Sequence, residues 1–326
     1  MRLLLCLLCA IGLAACDDPT ARGPFTASRA PPGLPVRALA PEGWAWGLIQ
    51  IGKAPPIRYG VAAPAGKAPR GQVLILPTYG EPAEAWFEAA QGLIGQGYSV
   101  WMLESAGQGG SARYTLPRDV GHAPDFQADL DALSVMRQVM GRKPTVFVAQ
   151  GSAAPVLMAA LRAGLPAQGV VLSAPTLTAA TVSPEVAEVA PLVAAAHLDW
   201  LRAYGEPGWK RIEPLPKGRA GVIAAWQTAN PDLRIGGPSW GHIAAFQGMV
   251  DALNAGSLAS VKAPVLILHP GAAAPRDAAA LCRRLARCAL TPVRAGRGSL
   301  HLESDEALEA WTTAVGAFIQ QSAPTT

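Results

Sequence analysis

The residues of this sequence that could do chemistry are one serine, one histidine and the carboxylates near that histidine. Ser152 follows the apolar stretch 145–149, which is typical of a strand, and precedes a run that is typical of a helix. A serine at such a turn acts as a nucleophile when a histidine takes its proton and a carboxylate orients the histidine. The available partners are His301, with Asp277 or Glu303 as the acid. This set would suit ester hydrolysis.

The elements that would position these residues alternate between short apolar strands and amphipathic helices from residue 69 onward. This alternation predicts an α/β fold with a mostly parallel, doubly wound sheet. The less regular region, about 174–237, is predicted to be a helical cap insertion over the sheet edge where such folds bind ligands. The predicted strands are 72–76, 99–103, 145–149, 169–172, 263–268 and 290–293, and the predicted helices include 82–96, 126–140, 184–204 and 304–320.

Several stretches, in this order, resemble one known family. They are GQVLILP at 71–77, GQG at 107–109, GH at 121–122, DF at 125–126, DLDAL at 129–133, LSAP at 172–175, GGPSWG at 236–241, APVLIL at 263–268 and HLESD at 301–305. Together they resemble the α/β-hydrolases of the lysophospholipase and monoacylglycerol-lipase branch, whose fold class also contains serine aminopeptidases. The resemblance spans most of residues 57–319 and implies the α/β-hydrolase fold.

The resemblance implies a nucleophile elbow after the strand 145–149, where two registers are open. In the gap-free register the nucleophile position is Gly151, with Ala149 and Ala153 as the small residues that the crossing of strand and helix demands. In the other register Ser152 is the nucleophile, and Gln150 puts a long side chain where the elbow needs a small one. The steric argument favours the first register, in which the hydroxyl of Ser152 would cap the following helix.

The other two catalytic positions lack the expected side chains as well. The family's acid position falls on Ala273, and Asp277, the nearest carboxylate, is expected to be the N-cap of the following helix. The base position, counted back from Glu303, falls on Gly298. The resemblance also implies that Thr78 and Tyr79 lie where the family's oxyanion donors sit, beside Gly151 in the pocket.

The N-terminus has the features of a secretion signal. One positive charge precedes an apolar run that ends in small residues, and the run is too short for a permanent membrane span. Residues 13–16, LAAC, resemble the lipobox of bacterial lipoproteins, which implies cleavage after residue 15 and acylation of Cys16. The Pro-, Ala- and Gly-rich segment 16–42 is predicted to be a flexible tether. The hydrolase domain would span 43–322, anchored to a bacterial membrane and facing the periplasm.

The cysteines, the net charge and the spacing of the histidines indicate which kinds of partner this protein can have. Cys282 and Cys288 form an even pair in an oxidising compartment, which favours a disulfide over two buried free thiols. The formal net charge is +4 without a run of Lys or Arg, so nucleic acid is not indicated. No histidine has the spacing of a metal motif, and neither a metal nor a cofactor is expected. We expect a monomer.

Three functions remain open on the sequence. The leading hypothesis is a catalytically degenerate hydrolase, held to membrane lipid through acylated Cys16, that binds a lysolipid, a monoacylglycerol or a protein partner. The alternative is an active serine ester hydrolase that uses Ser152 and His301, with Asp277 as a further catalytic residue. The third is a purely structural envelope lipoprotein.

Overall fold

An eight-stranded sheet forms the centre of the computed structural model, which describes residues 24–26, 28–116, 118–178, 182–294, 296 and 298–322. The strand order is β1-β2-β4-β3-β5-β6-β7-β8. Strand β2 runs antiparallel to both neighbours, and the other pairs are parallel. The strands are β1 (Ala45–Ile49), β2 (Ile57–Ala62), β3 (Gln72–Leu76), β4 (Ser99–Leu103), β5 (Thr145–Gln150), β6 (Gly169–Ser173), β7 (Val265–Pro270) and β8 (Cys288–Val293).

Helices cover both faces of this sheet. They are α1 (Phe87–Gly95), α2 (Gln127–Val139), α3 (Ala153–Arg162), α4 (Pro184–Ala195), α5 (Val222–Ala229), α6 (Trp240–Ala255), α7 (Arg276–Arg283) and α8 (Asp305–Ser322). Within β5, Phe147 packs into the core on the side of α2, α3 and α6, whereas Val146 and Val148 pack on the side of α1 and α8. Alternate residues of a strand point to opposite faces, so a strand covered on both sides is apolar throughout. The predicted doubly wound α/β fold is confirmed.

The cap consists of α4, α5 and the chain between them, and it differs from the predicted helix 184–204. Helix α4 ends at Ala195, and His197 takes a left-handed φ of 61° that turns the chain. The turn is closed by the bond from Leu198 N–H to the carbonyl of Val193. Helix α4 packs on α6, a helix that the sequence pattern did not single out.

The predicted flexible tether is wrong for its C-terminal part. Residues 24–26 and 28–42, here called the strap, lie on the domain. The strap's Ala38 is buried in the core on the α1 side, and the carbonyl of Leu39 accepts a bond from Gln91 Nε2 at 2.9 Å. The side chain of Asn230 bonds both the N–H and the carbonyl of Arg29, at 2.7 and 3.0 Å. A segment that cannot form its own core lies on the domain here because the domain satisfies its backbone groups and packs against its apolar side chains.

A disulfide, the N-terminal segment and the lengths of the helices complete the description of the fold. A disulfide joins Cys282 in α7 to Cys288 in β8. The predicted signal peptide and the acylation of Cys16 fall outside the described residues. Among the helices of the described ranges, none is both long enough and apolar enough to cross a membrane.

Candidate functional site

The turn from β5 to α3 is built as a nucleophile elbow, and its strained residue is a glycine. Gly151 has a φ of 52°, in the left-handed region that glycine adopts without a steric penalty. Ser152, the next residue, has a φ of −70° and already belongs to the helical turn. In an elbow the nucleophile stands on the strained residue, so that position is occupied by Gly151 and carries no side chain. This geometry is the one that the gap-free register requires.

The space beside Gly151 is filled by Thr78, from the loop after β3. A Cβ built on Gly151 would lie 3.0 Å from Thr78 Cβ and still closer to Thr78 Oγ1. Real Cβ atoms do not approach a neighbour that closely, so a serine at this position has no room unless Thr78 moves. Gly151 thus offers no side-chain nucleophile, and a serine there would require Thr78 to shift.

The two backbone donors of the expected oxyanion hole are already bonded. Ser152 N–H donates to Thr78 Oγ1 at 3.1 Å, and Tyr79 N–H donates to Ser152 Oγ at 3.0 Å. The two hydroxyls bond each other at 3.1 Å. The hydroxyl of Ser152 does not cap α3, which corrects that expectation. A carbonyl oxygen approaching these donors would have to displace a hydroxyl that the protein itself supplies.

The position of the expected base faces the elbow, but the position of the expected acid does not. The carbonyl of Gly298 accepts a bond from Gln150 Nε2 at 2.8 Å, directly before the elbow. Gly151, Gly298 and Glu303 line one open groove of about 580 Å³, here called the groove. Ala273 is exposed on the loop after β7 and does not line the groove. The groove occupies the space where side chains at the expected nucleophile and base positions would stand.

His301 lies in a buried cluster and makes no hydrogen bond to Ser152. Its ring stacks on Trp86 with 3.5 Å between centroids, and Nε2 lies 3.3 Å from Glu81 Oε1. Both ring nitrogens are buried without a hydrogen bond. The other oxygen of Glu81 accepts from the indole N–H of Trp86 at 2.7 Å. The sequence offered no sign of this cluster, because Glu81 and His301 are 220 positions apart.

Asp277 is not brought to the site. Its carboxylate bonds the N–H of Ala278 at 2.8 Å in the first turn of α7. Pro275, not Asp277, occupies the N-cap position, so the predicted capping role is wrong. Ser152, His301 and Asp277 are therefore not assembled into a hydrogen-bonded set.

A second space, here called the cap cavity, lies between the cap and the sheet and measures about 340 Å³. This volume falls in the range of roughly 300–1,000 Å³ that is usual for small-molecule sites. Its apolar wall includes Val182, Ile243 and Phe246. Thr78 and Thr176 line both the cap cavity and the groove, so the two spaces meet beside the elbow.

A small cavity of about 20 Å³ behind Ser152 is lined by three buried titratable side chains, Glu104, Asp129 and His242. That is room for one water molecule. Burial lowers the pKa of His242 to about 3 and raises the pKa of Asp129 to about 7. A histidine with so low a pKa is a poor proton acceptor, since the base of an acyl transfer works best with a pKa near the working pH. His242 is therefore poorly suited to activate Ser152.

A serine–histidine hydrogen bond does exist elsewhere, under the cap. His122 Nδ1 lies 2.8 Å from Ser239 Oγ, and its Nε2 lies 3.7 Å from Asp199 Oδ2. Ser239 is fully buried, and its hydroxyl accepts the N–H of His242 as the N-cap of α6. The set joins the cap to the loop at Gly121.

Comparison with known proteins agrees with this architecture. The model of the family described as "Serine aminopeptidase, S33" matches residues 67–292, more than half of the 326 residues. No match was found among curated protein sequences.

Solved structures share the fold at low sequence identity. A soluble variant of monoglyceride lipase from Saccharomyces cerevisiae, bound to a substrate analogue, is 18% identical, with a TM-score of 0.68 over 91% of this chain and 100% of that one. A carboxyl esterase from Bacillus coagulans, bound to glycerol, is 14% identical, with a TM-score of 0.65 over 87% and 100%. A monoacylglycerol lipase from Paleococcus ferrophilus is 15% identical, with a TM-score of 0.61 over 82% and 99%.

Proposed function

This chain belongs to the serine aminopeptidase S33 family, and we propose that it binds a single-chain lipid ester, a monoacylglycerol or a lysolipid, without cleaving it. The observation that carries the proposal is the occupied oxyanion site: the hydroxyls of Thr78 and Ser152 take up both backbone donors beside Gly151. Acyl transfer needs a nucleophile and free donors at that point. Loss of a triad member alone lowers the rate by about 10⁴–10⁶-fold.

The form of the two spaces supports a lipid with one acyl chain and a polar head. The cap cavity has an apolar wall for the chain, and the groove offers Gln150, Thr176 and Glu303 to a hydroxylated head group. The ester would lie where the spaces meet, next to Thr78. Two of the structural neighbours are monoglyceride or monoacylglycerol lipases, which supports the choice of ligand class.

Anchoring at a bacterial membrane is part of the proposal. Acylation of Cys16 would hold the domain on the periplasmic side, beside the lipids that the cavity suits. Metabolic labelling with a radioactive fatty acid tests this step. The wild-type chain is expected to carry the label, the Cys16→Ser variant is expected to lose it, and an unlabelled wild-type chain would rule the anchor out.

Ligand binding is tested by the displacement of a fluorescent fatty-acyl probe with monooleoylglycerol. Thr176 lies where the cavity and the groove meet, so Thr176→Trp is expected to weaken binding at least about tenfold by filling that space. Thr178→Trp is the matched control, because Thr178 is exposed and the substitution is the same. Equal affinity in the two variants would contradict the assigned site.

The absence of turnover is tested separately. We expect the bound monooleoylglycerol to be recovered intact and a fluorophosphonate probe to leave the protein unlabelled. Labelling of the wild type that disappears in Ser152→Ala would refute the non-catalytic reading and establish a serine ester hydrolase.

A further inference from the structure

The outer surface of the cap is unusually apolar. Eight of the twelve exposed large apolar residues among those described lie between positions 189 and 215. Leu192, Trp200 and Tyr204 are 71%, 48% and 83% exposed. Contiguous apolar patches on a protein surface mark sites of contact, and Trp and Tyr suit the boundary between lipid and water. The eight residues, here called the cap face, are Val189, Leu192, Leu198, Trp200, Leu201, Tyr204, Ile212 and Leu215.

The first part of the cap face is one continuous piece of structure. Val189 and Leu192 are three residues apart on α4 and share a face of that helix. The bond from Leu198 N–H to Val193 ties the following turn to the end of α4. Trp200 lies two residues beyond Leu198, so the exposed apolar side chains of α4 and of Trp200 belong to one short stretch of the cap.

The strap determines where the N-terminal chain leaves the domain. Phe25 N–H bonds the carbonyl of Gly110 at 2.7 Å, and its carbonyl accepts from Arg58 at 3.1 Å. Arg29 is held by Asn230, directly after α5 in the cap. The strap therefore runs from its exit beside Gly110 and Arg58 to the end of α5, a helix of the cap.

The chain between this exit and Cys16 is short. Seven residues separate Cys16 from Pro24, a distance of at most about 28 Å when fully extended. A compact domain of this length has a radius of gyration of about 19 Å and hence a diameter on the order of 48 Å. A chain shorter than the domain's diameter keeps the side that carries the exit close to the membrane.

From these observations we propose that the cap face rests on the lipid bilayer to which Cys16 is anchored. The inference rests on the anchor proposed above and goes beyond it, since it fixes which surface meets the lipid. Glu206 and Pro207, which line the cap cavity, follow Tyr204 closely in the chain. The contact would place the cavity beside the bilayer, so that a single-chain lipid enters with little exposure to water.

The surface is tested first without the acyl anchor. The Cys16→Ser chain is mixed with vesicles of phosphatidylethanolamine and phosphatidylglycerol, and its partition is measured by sedimentation. The pair Leu192→Ser and Trp200→Ser in this background is expected to lower the partition coefficient at least about tenfold. Val139→Ser is the matched control, because Val139 is 50% exposed on α2, outside the cap. Equal partition of both variants would overturn the proposal.

Orientation is then measured on the acylated chain in vesicles that contain brominated lipid. Bromine quenches tryptophan only near the bilayer, so the quenched fraction should fall in Trp200→Phe relative to wild type. An anchored protein whose quenching does not depend on Trp200 would refute the cap-face contact and leave the anchor intact. If the chain is not acylated, the anchor fails, and the sedimentation result still decides whether the cap face binds lipid.

Discussion

Restoring a serine at the elbow is expected to destabilise the protein through one identifiable contact. Gly151→Ser places a side chain on a residue with a φ of 52° and against Thr78. The variant probes whether the nucleophile position has been filled, because a functional elbow accepts a serine there. Thr78→Ala, which removes Oγ1 and keeps Cβ, is the second member of a double-mutant cycle.

Backbone strain and overpacking together set the size of this destabilisation. The left-handed backbone costs a non-glycine residue about 1–2 kcal/mol, and overpacking against Thr78 adds about 1–3 kcal/mol. Gly151→Ser should therefore lower the free energy of unfolding by about 2–5 kcal/mol. In the Thr78→Ala background most of the overpacking disappears, since the remaining approach is the 3.0 Å to Cβ. The expected coupling energy between the two substitutions is about 1–3 kcal/mol.

Urea unfolding of the wild type, Gly151→Ser, Thr78→Ala and the double variant measures this coupling, provided that the m-value is the same in all four. Additive effects, with a coupling below about 0.5 kcal/mol, would refute the reasoning that Thr78 occupies the nucleophile's space. Hydrolysis of a p-nitrophenyl ester should stay at background in all four, because Gly298 still supplies no base. Turnover by the double variant would show that a base is present after all.

Three further predictions concern stability. Burial favours neutral His242, so its contribution to the free energy of unfolding is full above its ordinary pKa of 6.5 and is lost as pH falls towards about 3. Burial also favours neutral Asp129, so its contribution is full below its ordinary pKa of 3.8 and is lost as pH rises through about 7. Each variant keeps only the pH dependence of the other group. Between about pH 4 and 6.5, the free energy of unfolding should therefore fall with rising pH in His242→Phe and rise in Asp129→Asn, each by about 1.4 kcal/mol per pH unit. Equal slopes of the two variants in unfolding titrations would contradict the pKa shifts. Replacing Cys282 and Cys288 with serine should lower the free energy of unfolding by about 2 kcal/mol, since the bridge closes a short loop with a separation of 6, and a reductant should reproduce the loss in the wild type. Arg58→Met should cost about 3–5 kcal/mol in urea unfolding, because two buried carboxylates lose their cation; a loss below about 1 kcal/mol would refute the assigned contribution of these ion pairs.

Much of the fold could be predicted from local patterns. The apolar runs of β3 and β5 and the helices between the strands were located within a few residues, because burial on both faces leaves a direct trace in the sequence. Helix α6 was missed, since the alanines and glycines around its buried stripe (Ile243, Phe246, Val250 and Leu253) reduce the contrast between its faces. The strap was mistaken for a free tether because its composition says only that it cannot form a core by itself.

The sequence alone determined that the expected catalytic positions read Gly151, Ala273 and Gly298, since a missing side chain is missing in any conformation. Only the tertiary structure decided what fills the space: the hydroxyl of Thr78 beside the elbow, and His301 held against Glu81. Periodicity and turn residues encode how each segment is buried, which is a local property. The partner of a buried polar side chain depends on which distant segments the folded sheet and its helices bring together, and no local pattern records that choice.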